Sequence, residues 1–323
     1  MPEQVGALLF LASQDVGAVV EKIVAVLELR NAAAQMKAAE ALAILARRSA
    51  ENRKAITLAN AVLPLVRLLG DGRGARTDTP QERAAAVLAD LSRSGENKAA
   101  IVEAGGVLPL VAMLTDGSAE AQVGAAGALW HLAALEANKA VIHKAGAIAP
   151  LVALLGAEAT EAQKFAAGAL WHLASSADSK TQMAAVGAIP PLVTVLGSPS
   201  SEAREYASAV LSTLARGLPA NKKAIYDAGG VAPLIKLLSD ERLMSKKYAA
   251  CALWGLAESD VEDISIAIVE EHGIPPLIEM LLADQTETRG FAAACLSSLC
   301  AQPEAQVIAI GLPAARQFLA FPC

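Results

Sequence analysis

Nine residues, Ala125-Ala126-Gly127-Ala128-Leu129-Trp130-His131-Leu132-Ala133, return unchanged as Ala166-Ala167-Gly168-Ala169-Leu170-Trp171-His172-Leu173-Ala174, 41 residues further on. A repeat of this length and period makes the chain an array of like units, each burying its apolar face against its neighbours. Such an array needs no growing central core, so a length of 323 residues does not by itself call for two domains. Hydrophobic residues make up 54% of the chain but aromatic residues only 3%. The apolar content is Ala, Leu and Val, which suits closely approaching helices.

Three segments recur in fixed order, and each reads as a helix. The first opens on Asn followed by a basic residue: Asn52-Arg53, Asn97-Lys98, Asn138-Lys139 and Asn221-Lys222. Asn is a strong N-cap, so these residues are expected to cap the first helix. Ile101, Ile142 and Ile225 follow at helical spacing, and the segment stops at Gly105, Gly146, Gly187 or Gly229. Those glycines fit the left-handed position after a helix end. Asn60 and His272 stand there in two copies, and both are residue types that tolerate positive φ.

The second segment is expected to start at a proline, whose missing N–H costs nothing in a first helical turn. Pro64, Pro109, Pro150, Pro191, Pro233 and Pro276 are equivalent, at spacings of 45, 41, 41, 42 and 43. Lys22-Ile23-Val24 is a degenerate earlier copy. The extra length after Pro64 falls in Gly70–Thr79, expected to be an exposed, protease-sensitive loop. Its glycines lack the Gly-Lys-Ser/Thr of a phosphate loop. The third segment is the repeated nonapeptide and its relatives. Thr79-Pro80-Gln81-Glu82 and Thr160-Glu161-Ala162-Gln163 read as capping boxes opening it.

Taken together, Asn-Lys-x-x-Ile…Ala-Gly, Pro-Leu-Val-x-Leu-Leu and Ala-Ala-Gly-Ala-Leu-Trp-x-Leu-Ala resemble the armadillo repeat family over nearly the whole chain. The resemblance implies an all-α, right-handed α-solenoid with three helices per repeat. It divides the chain into a degenerate N-terminal repeat over 1–50, six repeats over 51–301 and a truncated repeat over 302–323, all in one solenoid. It also implies a concave groove lined by third helices, which in the family usually holds an extended peptide or a partner's surface. A family spanning adhesion, nuclear import, ubiquitin ligation and cilia implies architecture far more than a particular role.

Many members carry an Asn ladder on the third helix. The corresponding positions here are Ile44, Asp90, His131, His172, Thr213, Gly255 and Ser298. The Trp that nuclear-import adaptors place four residues earlier is replaced by Glu40, Ala86, Gly127, Gly168, Ala209, Cys251 and Ala294. Both departures speak against a conventional receptor for nuclear-localisation signals, though a transport-type adaptor stays an alternative. Seven residues before the ladder, on the same helical face, stand Phe165, Tyr206, Tyr248 and Phe291. Two readings fit them, contact with a ligand's apolar side chains and packing at the junction between repeats. Trp130, Trp171 and Trp254, one residue before the ladder, admit the same two readings. His131 and His172 are expected to be neighbours. A polar groove contact suits them better than a shared metal, since no third ligand stands at suitable spacing. Glu120, Glu161, Glu202 and Glu287 form an acidic stripe eleven residues before the ladder. It either favours a basic peptide or serves the helix dipole.

The net charge of −6 argues against nonspecific nucleic-acid binding, which needs a surplus of Lys and Arg. Cys251, Cys295, Cys300 and Cys323 lack CxxC spacing, so neither a zinc site nor a disulfide framework is expected, and a reducing compartment, cytoplasmic or nuclear, follows. No apolar run reaches membrane-spanning length, and Val5–Ala12 lacks the basic leader of a signal peptide. There is no HExxH and no nucleophile elbow. The reading is a non-catalytic scaffold, without cofactor or metal, that binds a protein or an extended peptide. The competing reading is a structural module that self-associates end to end. It rests on the apolar Phe318, Leu319 and Phe321, where a terminal repeat normally presents a polar cap.

Overall fold

The computed structural model describes residues 16–70, 79–258, 262–282 and 286–302, with the side chains of 262, 286 and 287 left aside. Among these residues there are 20 helices and no strand. Two compact units divide the chain, Met1–Leu154 and Leu155–Cys323.

In the first unit, Val16–Leu27 and Ala32–Arg48 are a second and a third helix. Two full triplets follow: Ala50–Leu58, Val62–Gly70 and Pro80–Leu91, then Gly95–Glu103, Val107–Asp116 and Ala119–Ala133. Glu136–Lys144 and Ile148–Leu154 open another. In the second unit the third helix Thr160–Leu173 precedes three triplets. These are Ala177–Ala185, Ile189–Val195 and Ser201–Ala215; Pro219–Asp227, Val231–Leu237 and Leu243–Ala257; and Glu262–Glu270, Ile274–Leu282 and Thr286–Cys300. Within each unit, every third helix packs on the third helix of the next repeat. This is an all-α solenoid architecture of armadillo type.

Small residues make that packing possible. Ala125, Ala126, Ala128 and Leu129 are fully buried. A Cβ on Gly124 would lie 3.1 Å from the Ala86 nitrogen and 3.3 Å from the Ala85 Cβ, so one third helix rests nearly backbone on backbone against the previous one. The first helices contribute Ile56, Ile101, Ile142 and Ile225, each with no exposed surface.

The turns between first and second helices match the expectation. Gly105, Gly146, Gly187 and Gly229 have φ between 72° and 79°, and Asn60 and His272 have φ of 55° and 60°. The closing bonds are those of a Schellman motif. In the copy at Gly105, its N–H donates to the Val102 carbonyl and the Gly106 N–H to the Ile101 carbonyl. The second helices start two residues ahead of the expected proline, at Val62, Val107, Ile148, Ile189, Val231 and Ile274. Proline is therefore the third residue of the helix, still in the turn whose N–H groups have no intrahelical acceptor.

The expected role of the repeated Asn is corrected. Asn52, Asn97, Asn138 and Asn221 are the third residues of their helices, and the N-cap positions are Ser49, Ser94, Leu135 and Leu218. Each Asn instead turns its amide back to the end of the preceding third helix. Nδ2 donates to the carbonyls of Leu45 (2.9 Å), Leu91 (3.0 Å), Leu132 (3.1 Å) and Leu214 (3.4 Å). Asn97 is 1% exposed, and the Leu91 carbonyl it serves also accepts from the Ser94 N–H at 3.1 Å, so both of its lone pairs are used.

The two expected capping boxes fare differently. Thr79 is an N-cap and accepts from the Glu82 N–H at 3.3 Å. The Glu82 carboxylate, however, accepts from the Ser118 hydroxyl of the next repeat at 2.9 Å. The box at Thr160 does not form. Ala159 is the N-cap, and the Gln163 amide bonds the Ala157 carbonyl and the Ser198 hydroxyl, both at 2.9 Å. In both copies the side chain that would close a box locally goes to the neighbouring repeat instead.

The loop 71–78, the tail 303–323 with Phe318, Leu319 and Phe321, and most of the acidic run Glu258–Asp263 lie outside the described residues. No single described helix is long and apolar enough to cross a membrane.

Candidate functional site

The candidate residues of both units sit on the third helices, whose faces the close packing brings into register. Asp90, Trp130 and His131 in the first unit are all half-buried. So are Phe165, Trp171, His172, Tyr206, Thr213, Tyr248, Trp254, Phe291 and Ser298 in the second. None is sequestered in the core and none stands fully in solvent.

In the first unit, Asp90 accepts from Arg47 Nε at 3.1 Å. Arg47 lies three residues beyond Ile44, so it reaches forward from one ladder position to the ladder residue of the next repeat. The pair is asymmetric, with Arg47 64% exposed and Asp90 15%. His131 Nδ1 lies 3.1 Å from the Gly127 carbonyl, one turn back in its own helix. A carbonyl only accepts, so the ring proton is on Nδ1. The Trp130 and His131 rings meet edge to face with centroids 4.5 Å apart. Glu120 is exposed in the first turn of its helix.

In the second unit the aromatics gather across repeats. Trp171 stacks on Tyr206 of the next repeat, with centroids 5.7 Å apart and planes at 22°, and meets Tyr248 of the repeat beyond at 6.0 Å, edge to face. The His172 ring lies 4.8 Å from Trp171. One repeat further on, Trp254 meets Phe291 at 6.1 Å. The residue before the ladder therefore touches the residue seven before the next ladder. Junction packing and a half-exposed aromatic face are the same row of side chains.

Charges brace this row. Arg204 donates to Asp240 at 2.7 Å, and Arg242 donates to Glu205. These two ion pairs run in opposite directions across one repeat junction, and both start from the two residues just before Tyr206, Arg204 and Glu205. Burial, followed by the charges of Glu205 and Glu202, pushes the Tyr206 hydroxyl up to about 12. Burial also pushes the Asp240 carboxyl up, but the Arg242 amide and the Arg204 guanidinium outweigh it and hold the group below its ordinary value.

The acidic stripe is partly compensated. Lys164 lies 2.7 Å from Glu161 and 3.6 Å from Glu202. Its ammonium also sits 4.5 Å from the centroid of the Phe165 ring. The side chain of Glu287 is outside the described residues. Thr213 donates to the Ala209 carbonyl of its own helix at 3.0 Å. His131 and His172 fall in different units, so the juxtaposition expected of them belongs to neither. Among the described residues, no group of three or more His, Cys, Asp or Glu is placed to hold a metal ion.

Sequence reasoning passed over Arg47, Lys164, Glu205 and Arg242. For Arg47 the signal is its place three residues after the ladder. Glu205 and Arg242 carry no local signal, because 37 residues separate them.

Comparison with known proteins fits this architecture. The model of the armadillo/beta-catenin-like repeat matches residues 96–134, 136–175 and 219–258. A search of curated proteins gave no match. Among solved structures, an engineered protein from the Northeast Structural Genomics Consortium is similar, with 34% identity and a TM-score of 0.76, over 94% of this chain and 73% of that one. A designed armadillo repeat protein is similar at 27% identity and a TM-score of 0.64, over 74% of this chain and 99% of that one. Another, in complex with the peptide (KR)4, is similar at 26% identity and a TM-score of 0.61, over the same shares of the two chains. With its repeats in register, its third helices stacked and its turns closed on left-handed residues, this chain belongs to the armadillo repeat family.

Proposed function

We propose that the third-helix face of the second unit binds an extended segment of a protein partner, as a non-catalytic scaffold, and that Asp90, Trp130 and His131 offer a like face on the first. The observation that carries this reading is the row Trp171, Tyr206 and Tyr248, half-exposed and in ring contact on three successive third helices, with two ion pairs across the junction between the last two. Aromatic side chains that are rigid before binding lose little entropy on contact, which is what an interface anchor needs. The designed relative in complex with (KR)4 supports a peptide as occupant. Glu161 and Glu202 favour basic residues over the first part of the face, in competition with Lys164.

The test is selection of dodecapeptides from a random phage-displayed library on the full chain, followed by affinity measurement on variants. Trp171→Ala and Tyr206→Ala are expected to weaken the selected peptides by about tenfold or more, the loss typical of an aromatic anchor. Raising the salt should slow association if Glu161 and Glu202 steer the ligand. Peptides indifferent to both aromatic substitutions, but lost on Leu108→Glu at an exposed second-helix position, would sink the proposal.

A further inference from the structure

Three arginines occupy the same place in different repeats. Arg47, Arg93 and Arg216 each lie three residues after a ladder position, Ile44, Asp90 and Thr213 respectively. Arg47 reaches the next ladder residue, Asp90, and pairs with its carboxylate at 3.1 Å. The residue that faces Arg216 in the same way is Gly255. A Cβ placed on Gly255 would lie 3.0 Å from Arg216 Cγ. The arginine stem therefore runs across the glycine, in the path a ladder side chain would take. Arg216 is exposed, and among the described residues no carboxylate pairs with it.

The surroundings add positive charge. Arg216 and Lys247 both act on the thiol of Cys251, buried one turn before Gly255 on the same helix. The stem of Arg216 rests on apolar surface while its head stays in water. A guanidinium held by its stem is pre-organised for a carboxylate, which it meets with a planar fork of donors. Beside Arg47 the chain supplies that carboxylate itself, and after Arg93 the next ladder residue is His131. Beside Arg216 it supplies a buried glycine and no carboxylate at the ladder position, while the arginine itself is exposed.

We infer that Arg216, lying across Gly255, is a subsite for a carboxylate side chain of the bound segment, an Asp or Glu that takes the place Asp90 holds beside Arg47. This rests on the third-helix face of the second unit being the binding surface. It gives the ligand a charge order, with basic residues over Glu161 and Glu202 and an acidic residue over Gly255.

The test uses the same phage-displayed dodecapeptides, selected in parallel on the unaltered chain and on Arg216→Glu. Peptides from the unaltered chain should share an Asp or Glu at one position. Arg216→Ala should weaken them by up to about fivefold, the upper end for a solvent-exposed ion pair. Changing that peptide residue to Ala should abolish the difference between the two chains. Selection on Arg216→Glu should replace the acidic residue with Lys or Arg. Arg216 is exposed, and circular dichroism of both variants checks that they fold. If the selected peptides depend on Tyr206 but carry no acidic residue coupled to position 216, the subsite is refuted and the binding face stands. If they ignore Tyr206 as well, the face itself is wrong and the subsite falls with it.

Discussion

Replacing Asn97 by Ala separates the observed role of the repeated asparagine from the capping role the sequence suggests. The side chain is 1% exposed; Nδ2 donates to the Leu91 carbonyl at 3.0 Å, and Oδ1 lies 2.9 Å from the Thr57 hydroxyl. The substitution removes both contacts, but their costs differ. The Thr57 hydroxyl is also 2.9 Å from the Arg53 carbonyl, so its proton keeps an acceptor. The Leu91 carbonyl keeps the Ser94 N–H at 3.1 Å but loses its second donor. A hydrogen bond of this kind contributes about 0.5–1.5 kcal/mol, so the expected loss is about 1 kcal/mol from this contact. Asn97→Asp goes further, because it sets a carboxylate against a carbonyl oxygen. Its carboxyl would titrate above the unfolded value, so at neutral pH it should cost more than Ala. The excess should vanish as the pH falls through the raised folded pKa and then the unfolded one, where the acid can donate. The assay is urea unfolding followed by Trp130 fluorescence, with Trp171 and Trp254 replaced by Phe, because repeat units need not melt together. The control is Lys54→Ala, an exposed position on a first helix. A cost for Asn97→Ala within about 0.5 kcal/mol of that control, the usual range of surface substitutions, would refute the reasoning.

Gly146 has φ of 77° and open space where a Cβ would go. Gly146→Ala should therefore cost about 1 kcal/mol from backbone strain alone, and Gly146→Asn less, as chemical denaturation can show. Asp240, whose folded pKa is lowered, contributes stability that is present above the unfolded carboxylate value of about 4. That contribution is lost as the pH falls through the folded value, so Asp240→Asn should be less stable at pH 7 and show a shallower acid limb in its stability–pH profile. Cys295 and Cys251 are buried, and burial pushes both thiols up. Mass spectrometry after mild alkylation should find the half-exposed Cys300 modified ahead of Cys251 and Cys295, which react only as the chain unfolds.

What the sequence made legible were features whose cause is local. A left-handed residue announces itself by type, so Gly105, Gly146, Asn60 and His272 were all assigned from the sequence and adopt positive φ. A proline in a first turn does the same, to within two residues. The asparagines were misplaced because capping and back-bonding residues share a composition. They differ only in register, and the carbonyl that distinguishes them lies six or seven residues upstream. Thr160 failed as a cap for a related reason. The motif Thr-x-x-Gln is satisfied on paper, yet Gln163 finds Ser198 in the next repeat. Partners 35 to 43 residues away, such as Ser198 for Gln163 or Asp90 for Arg47, exist only once the stack exists. The aromatic row was visible as a period, but not that Trp171 would touch both Tyr206 and Tyr248.

Gly124 acts on the first unit as the mark on a ruler. Its missing side chain lets the helix Ala119–Ala133 approach Pro80–Leu91 to nearly backbone contact, at the short end of the usual interhelical range of about 8–10 Å. The same approach sets the spacing between the ladder residues of the two helices, Asp90 and His131. An extended chain advances about 3.3–3.6 Å per residue, so its side chains can keep step with the ladder only while the interval holds. A single methyl group at position 124 would lengthen that one interval by a few tenths of an ångström. His131 would then step away from Asp90, although neither ladder side chain had changed.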